Sequence, residues 1–264
     1  MHRLRLRDLP EVKPLAIDLY SGLGGWTEGL LAEGYEVVGF DLERHVYGEA
    51  RYPAQLVLQD VLTLHGAQFK DAALIVASPP CQAYSYRAMP WKRAKALPPP
   101  DNALFEACFR IQREAIAAAG HHIPLVVENV CGAQKWVGRA RWHYGSFYLW
   151  GDIPALMPIV TNRRMKFPAN CSPRRWDERE YVRLNDGSAS GLGHREGATK
   201  NDGGSLFNVA HNTTSVHGQN PVRRKGIPHS ARKAASAHIA KIPLSLARWI
   251  ASAWKPDDRL EARG

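Results

Sequence analysis

The chain has 264 residues, 45% hydrophobic and 23% charged, enough to bury a substantial core as one large domain or as a domain with a smaller lobe. Its 35 Lys and Arg against 25 Asp and Glu give a formal charge of +10, which favours a polyanionic partner, nucleic acid first and an anionic membrane second. No run approaches the roughly 18 apolar residues needed to span a bilayer, and the opening MHRLRLRDLPEVKP lacks the apolar stretch of a signal peptide. The four cysteines, Cys81, Cys108, Cys131 and Cys171, form no C-x-x-C pair, which argues against a disulfide framework or a zinc knuckle and for a reduced, cytoplasmic protein.

In chain order, LAIDLYS (15–21) reads as a short buried strand and GWTEGLLAEG (25–34) as a helix closed by Gly34. EVVGFDLE (36–43) is a second strand, then a short helical piece leads to QLVLQDV (55–61), and AALIVASPP (72–80) is a fourth strand. A helix runs from an Asp101–Asn102 cap to Gly120 with Leu104, Cys108, Ile111 and Ala115 on one face. PLVVENV (124–130) and HYGSFYLWG (143–151) read as two more strands. This alternation predicts an α/β domain over 1–151 with a mostly parallel sheet, whose ligands sit at the carboxyl ends of the strands. From 152 to 229 Pro, Asn, Gly, Ser and Arg dominate, which predicts a small loop-rich lobe, with 185–205 close to a flexible linker in composition. Two helical stretches, 230–241 and 243–254, follow before a tail at 255–264.

The polar residues gather at the expected strand ends. DLYSGLGG (18–25) is a strand entering a glycine-rich turn before a helix; without a P-loop Lys or G-x-G-x-x-G it is either a structural turn or a cradle for a ligand other than a triphosphate or dinucleotide. Asp41, one strand later, is placed to accept from ribose hydroxyls, and Asp60 from an adenine amino group, so an adenosine-bearing cofactor is expected. Cys108 reads as a core residue on its helix face. Cys81 follows Pro79 and Pro80 at a strand's outer edge beside a run of cations, the setting of a thiolate nucleophile. Glu128 ends the next strand in the same crevice, as a proton donor and acceptor or as a cap. Arg139 and Arg141 alternate along an extended segment where solvated charge is the ordinary outcome. The histidines at 194, 211, 217 and 229 lack metal-ligand spacing, and no metal is expected.

AIDLYSGLGGWTEGL, GFDLE, QDVL, SPPCQAYS, ENV and GRARW, in this order, resemble the DNA cytosine-5 methyltransferases, as a small phage- or bacterial-type member, over roughly the first 150 residues; HIAKIPLSLARWI (238–250) is a weaker echo of the family's last motif. The resemblance implies a Rossmann-like domain that uses S-adenosylmethionine, held by Asp18, Tyr20, Ser21, Gly22, Leu23, Gly24, Gly25, Asp41, Leu42, Asp60, Val61 and Pro80. It implies Cys81 as nucleophile toward cytosine C6, Glu128 on N3 and the exocyclic amine, and Arg141 with Arg139 on the base carbonyl. It also implies double-stranded DNA as partner and a base flipped out of the stack. Gln82, Ser85, Arg87, Trp91, Lys92 and Arg93 belong to the segment expected to meet DNA, the 152–229 lobe is expected to recognise the target, and the protein is expected to act as a monomer.

The sequence departs from the family's pattern twice. Val137 stands where the Arg139 motif usually begins with glutamine, and Gln134 is not counted on to replace it. Ala240 and Lys241 stand where the last motif usually carries Gly-Asn. Lys241 is expected to pair with the cofactor carboxylate, and it opens two alternatives: transfer from an anionic derivative of S-adenosylmethionine, or a catalytically weak DNA-binding homologue. An amino methyltransferase is disfavoured, because Cys81 follows Ser-Pro-Pro where an aromatic would be needed. RNA cytosine is disfavoured because the Cys-Phe-Thr signature of the RNA-acting branch is missing.

Overall fold

A computed structural model describes residues 12–84, 96, 98–157, 213–214, 222–223, 233–234, 237–238 and 240–256. Its centre is a seven-stranded sheet in the order β5-β2-β1-β6-β7-β9-β8. The strands are β1 (Leu15–Leu19), β2 (Glu36–Asp41), β5 (Gln55–Leu58), β6 (Ala72–Ala77), β7 (Leu125–Asn129), β8 (Trp142–Tyr144) and β9 (Phe147–Gly151). The first five pair in parallel, and β9 and β8 close one edge antiparallel. This is the mostly parallel, Rossmann-like α/β arrangement expected.

Continuous apolar runs such as ALIVA in β6 fit a strand covered on both faces. Ile17, Ile75, Leu125 and Val127 pack against α2 (Ala103–Ala119), while Ala16, Leu74, Val76 and Val126 pack against α1 (Gly25–Ala32) and α4 (Leu244–Trp254). Helix α2 ends at Gly120 in the left-handed region. At its start Asp101 Oδ1 accepts from Ala103 N at 2.8 Å, while the Asn102 side chain is engaged elsewhere. Helix α4 lies against α1 so closely that a Cβ on Gly29 would fall 2.4 Å from the Ala247 Cβ.

Two local expectations are corrected. The piece between β2 and β5 is not helical but a small hairpin, β3 (Val46–Tyr47) with β4 (Ala50–Arg51), turning at Gly48. The stretch 143–151 is not one strand but the β8–β9 hairpin, with Gly145 at its turn in the left-handed region. Beyond β9 only fragments are described, among them the antiparallel pair β10 (Thr213–Thr214) and β11 (Val222–Arg223). Most of the expected 152–229 lobe, and Ser85, Arg87, Trp91, Lys92 and Arg93, lie outside the described residues.

Strand order reverses between β1 and β6: the chain leaves β1 toward β2 and β5, then leaves β6 toward β7. Ligands of open α/β sheets bind in the crevice at such a reversal. The glycine-rich turn after β1 and the Pro-Pro-Cys loop after β6 flank this one.

Candidate active site

On the β1 side, Tyr20 and Gly22 leave the strand in the left-handed region, with φ 59° and 52°. For Tyr20 that conformation costs about 1–2 kcal/mol, and its hydroxyl donates to Leu104 O at 2.8 Å, tying the turn to α2. Gly24, at φ 77°, caps α1, and a Cβ there would lie 2.5 Å from Pro53 Cδ; a Cβ on Gly25 would lie 2.4 Å from Ile242 N. Both positions therefore demand glycine for close packing around the turn. Leu23 is buried beneath it.

Asp41 holds the turn from β2: its Oδ2 accepts from Gly22 N and its Oδ1 from Leu42 N, both at 2.8 Å. His45 Nε2 lies 3.7 Å from Oδ1. Burial works to raise the Asp41 carboxyl, but bonds from His45, Gly22 and Glu43 outweigh it and keep the group below the usual carboxylate range. Beside it Leu42, Leu58 and Leu62 expose apolar surface. Asp60 commits Oδ1 to Leu62 N at 2.9 Å, capping the 3-10 turn Val61–Thr63. The side chain of Val61 is 2% exposed and packs into the core, while that of Leu62, its neighbour in the turn, is exposed.

Asp18 is buried on the α1 face of β1. Its Oδ2 accepts from Thr27 Oγ1 at 2.6 Å, and Thr27 Oγ1 also bonds the Tyr52 hydroxyl at 2.6 Å. Asp18 Oδ1 and Ser21 Oγ are buried without a hydrogen-bond partner among the described residues. Burial pushes the Asp18 carboxyl up to about 8. Lys241 lies against Gly25, but its ammonium is held by Glu28 Oε1 at 2.5 Å, so the expected pairing with a cofactor carboxylate meets a competitor already in place.

On the β6 side, Ser78 N donates to Leu19 O at 3.1 Å, and Asn129 Nδ2 donates to Pro79 O at 2.9 Å. These bonds fix the Pro79–Pro80–Cys81 loop to both neighbouring strands. Cys81 is half-buried, with Pro80 and Gln82 exposed on either side, and its carbonyl accepts from Tyr84 N at 2.9 Å. Tyr84 in turn donates to Asn102 Oδ1 at 3.0 Å, and Asn102 Nδ2 donates to Trp136 O at 3.3 Å.

Glu128 is the penultimate residue of β7, at 9% exposure. Burial drives its carboxyl up to about 8, against a hydrogen bond from Ser78 that pulls it down. Ser78 Oγ accepts from the Trp26 indole N–H at 3.0 Å. Ser78, Trp26 and Asn129 were not singled out from sequence. The signal available was the position of two of them, since Ser78 is the polar residue that follows β6 and Asn129 the one that ends β7.

Arg139 and Arg141 are exposed. Their segment is held by its backbone: Ala140 N donates to Gln134 Oε1 at 3.2 Å, and Arg141 N to Leu149 O at 2.9 Å. Gln134, in the short helix α3 (Gln134–Val137), thus supports the arginine segment after all, while Val137 packs on the core. Arg141 lines an open cavity of about 300 Å³ with Trp142, Ile153, Pro154, Ala155 and Met157.

Residues 15–133, just under half of the chain, match the family model of the C-5 cytosine-specific DNA methylases. That stretch is a C-5 cytosine-specific DNA methylase domain. The match takes in both loops of the crevice and Glu128. No curated protein matches the chain.

Among solved structures, the methylase domain is similar to a DNA modification methyltransferase encoded within an E. coli prophage, at 20% identity over 47% of this chain and 34% of that one, TM-score 0.30. It is similar to the S. pombe Dnmt2 methyltransferase at 18% identity over 47% and 36%, TM-score 0.31. It is also similar to the Entamoeba histolytica methyltransferase EhMeth at 16% identity over 47% and 40%, TM-score 0.33. The chain thus spans little more than a third of the length of these structures, and likenesses this distant carry no argument below.

Proposed function

We propose that the chain methylates C5 of a flipped-out cytosine in double-stranded DNA, with S-adenosylmethionine as donor and a covalent bond between Cys81 Sγ and C6 as intermediate. The observation that carries this reading is the placement, at the ends of adjacent parallel strands, of a loop-borne thiol and a buried carboxyl, whose burial favours the protonated form.

The residues of the glycine-rich turn suit the donor. Asp18 Oδ1 is free to accept from an ammonium, and the Ser21 hydroxyl to donate to a carboxylate. Asp41 retains acceptor capacity for ribose hydroxyls, and Leu42, Leu58 and Leu62 offer apolar surface to a purine. Bound there, S-adenosylmethionine supplies an electrophilic methyl group.

Cytosine C5 is too electron-poor to take that methyl unaided. Deprotonated Cys81 Sγ forms a bond to C6, and the C5–C6 π pair becomes available at C5. Glu128 gives its proton to N3 as negative charge develops on the ring, while its other oxygen accepts from the exocyclic amine. C5 would then bond to the methyl as the methyl's bond to the sulfonium breaks, its electron pair staying on sulfur so that a neutral thioether leaves; a base removes the C5 proton, and the electrons expel Cys81 as thiolate. Glu128 recovers its proton from N3.

The remaining parts of the proposal are action as a monomer in the cytoplasm, DNA contacts from Gln82 through Arg93, and target choice by the 152–229 lobe. The alternative donor, an anionic derivative, would have to displace Glu28 from Lys241, and the pair disfavours it.

The test is duplex DNA carrying 5-fluorocytosine, incubated with S-adenosylmethionine and either the native protein or Cys81→Ala. Fluorine at C5 blocks the final elimination, so the expected result is a denaturation-resistant adduct that needs both donor and Cys81. Salt-sensitive DNA binding without an adduct would overturn the reading in favour of a non-catalytic homologue.

A further inference from the structure

We infer that the crevice rim continues past Cys81 and Glu128 as a further DNA-contact surface, where Lys135, braced on Trp136, Arg139 and the His143–Tyr148 stack meet the sugar–phosphate backbone beside the flipped nucleotide. The inference rests on the proposal that duplex DNA is the substrate.

The register of the sheet lays this surface out. Asn129 of β7, Tyr148 of β9 and His143 of β8 lie side by side in one row. The row sits at the carboxyl end of β7, where Asn129 Nδ2 holds the carbonyl of Pro79 in the nucleophile loop. Neighbouring strands lie about 4.8 Å apart, so His143 stands about 10 Å from the end of β7. Along one strand of a duplex that distance is about three nucleotide steps.

The sequence makes this stretch basic. Between Glu128 and Asp152 the chain has no Asp or Glu, while Lys135, Arg139, Arg141 and His143 are all exposed. Of the two acids at its ends, Glu128 is buried, and Asp152 lies at the opposite end of the sheet, where its Oδ2 accepts from Gln112 Nε2 and Leu125 N. Exposed Asp101 and Glu106, at the start of α2, bound the surface on that side. Among the described residues, ion pairs with carboxylates engage Arg110, Lys233, Lys241 and Arg248, but neither Lys135 nor Arg139. A cation already on a carboxylate must give up that partner to meet a phosphate. One without such a partner gives up only water, and the phosphate releases its counterion. Arg141 lines the cavity beside Trp142 and is left out of the surface.

The side chains are also held in place. Lys135 Nζ lies 4.4 Å from the centre of the Trp136 ring. The Trp136 carbonyl accepts from Asn102, Asn102 accepts from the Tyr84 hydroxyl, and Tyr84 N donates to Cys81 O. A continuous chain of bonds thus ties the lysine's support to the nucleophile loop. The bond from Ala140 N to Gln134 Oε1 folds Arg139 back beside α3, and Trp150 Nε1 fixes the turn before it through Gly138 O at 2.9 Å. The His143 ring stacks on Tyr148 at 4.9 Å and 17°, giving a flat face on which a deoxyribose can rest. Groups placed in advance lose less freedom when the ligand arrives.

The test measures binding of a fluorescein-labelled DNA duplex by anisotropy across a range of salt concentrations. It compares native protein with Lys135→Ala, Arg139→Ala, the two combined, and His143→Ala. A variant combining Lys70→Ala with Arg113→Ala removes two exposed cations away from this rim, one before β6 and one past the middle of α2, and controls for net charge. Each lost phosphate contact lowers the slope of log K against log salt by about 0.9, so the Lys135–Arg139 variant should lose about 2 and the control nothing. Lys135→Arg should keep the native slope. His143→Ala should weaken binding by one factor at every salt concentration, with the slope unchanged, because its contact is not ionic.

The 5-fluorocytosine adduct assay on native protein runs alongside. Adducts together with equal slopes in native protein and the Lys135–Arg139 variant, or with an equal loss in the control, would overturn the inference and leave methyl transfer standing. A slope lost only in the Lys135–Arg139 variant, with no adduct on any duplex, would uphold the surface and count against methyl transfer. A loss seen on duplex RNA and absent on DNA would overturn DNA as the occupant, and native protein without salt-dependent DNA binding would overturn both readings.

Discussion

Replacing Glu128 with Gln removes the proton-holding group while keeping its shape and an acceptor for Ser78. In the folded protein the carboxyl is raised from 4.5 to about 8, chiefly by burial. A group whose folded value lies above its unfolded one binds more protons when folded, so stability falls as pH rises between the two values. At about 1.4 kcal/mol per pKa unit, the native protein loses roughly 1 kcal/mol by pH ~5 and roughly 4–5 kcal/mol by pH ~8.5 through this one group. Relaxation and water entry make the larger figure a ceiling. Glutamine does not titrate, so Glu128→Gln should gain on the native protein by up to ~4 kcal/mol between those pH values. Other groups, Asp18 included, titrate in both proteins and cancel in the difference. Urea unfolding at the two pH values measures it, alongside a methyl-transfer assay that should show the variant inactive. A stability difference that stays constant within ~1 kcal/mol across this range would refute the argument that burial keeps Glu128 protonated.

Two further substitutions probe the frame of the site. Asn129→Ala removes the donor to Pro79 O and should slow adduct formation on 5-fluorocytosine DNA by about tenfold or more, with donor affinity unchanged by calorimetry; the buried carbonyl left unpaired should also cost about 1–3 kcal/mol in urea unfolding. Gly29→Ala sets helix preference against packing: alanine favours the helix by about 1 kcal/mol, but its Cβ would lie 2.4 Å from the Ala247 Cβ and 2.6 Å from Arg248 N, backbone that cannot yield without moving α4. Overpacking of this kind costs about 1–3 kcal/mol, so net destabilisation is expected, measured as a lower unfolding midpoint in urea.

The strands of the central sheet were legible because each buried run is long enough to carry its own pattern. The β3–β4 hairpin was not: two residues per strand have no period, and its place is set by Tyr52 packing under Gly39 and bonding Thr27. The β8–β9 turn was hidden because Gly145 and Ser146 sit within an alternation that continues on both sides. At the site, Cys81 and Glu128 could be found from residue type and strand-end position. Val61, which the resemblance places at the cofactor, begins a 3-10 turn that buries its side chain and exposes that of Leu62. The Lys241–Glu28 pair joins residues 213 positions apart, and no local pattern announces it. Ser78 and Trp26 escaped for a similar reason: their roles lie in a bond across 52 residues.

The two buried carboxyls lie on the α1 face of neighbouring parts of the sheet. Asp18 is bonded to a threonine hydroxyl that is bonded to a tyrosine; Glu128 lies in register beside Ser78, whose hydroxyl is bonded to a tryptophan. Burial raises both to about 8. A phenol both donates and accepts, so the Tyr52–Thr27–Asp18 chain can run in either direction and tolerates Asp18 with or without its proton. That freedom suits a group whose proposed partner is the ammonium of a cationic donor, since the arriving charge favours the ionised form. An indole only donates, so Trp26 takes one acceptor lone pair of Ser78 Oγ, and the hydroxyl keeps its proton and a second lone pair. Burial with no arriving cation leaves Glu128 its proton, which suits a group whose proposed partner is a ring nitrogen awaiting protonation. What separates two similarly buried acids in one crevice is therefore the charge of the partner each is proposed to meet.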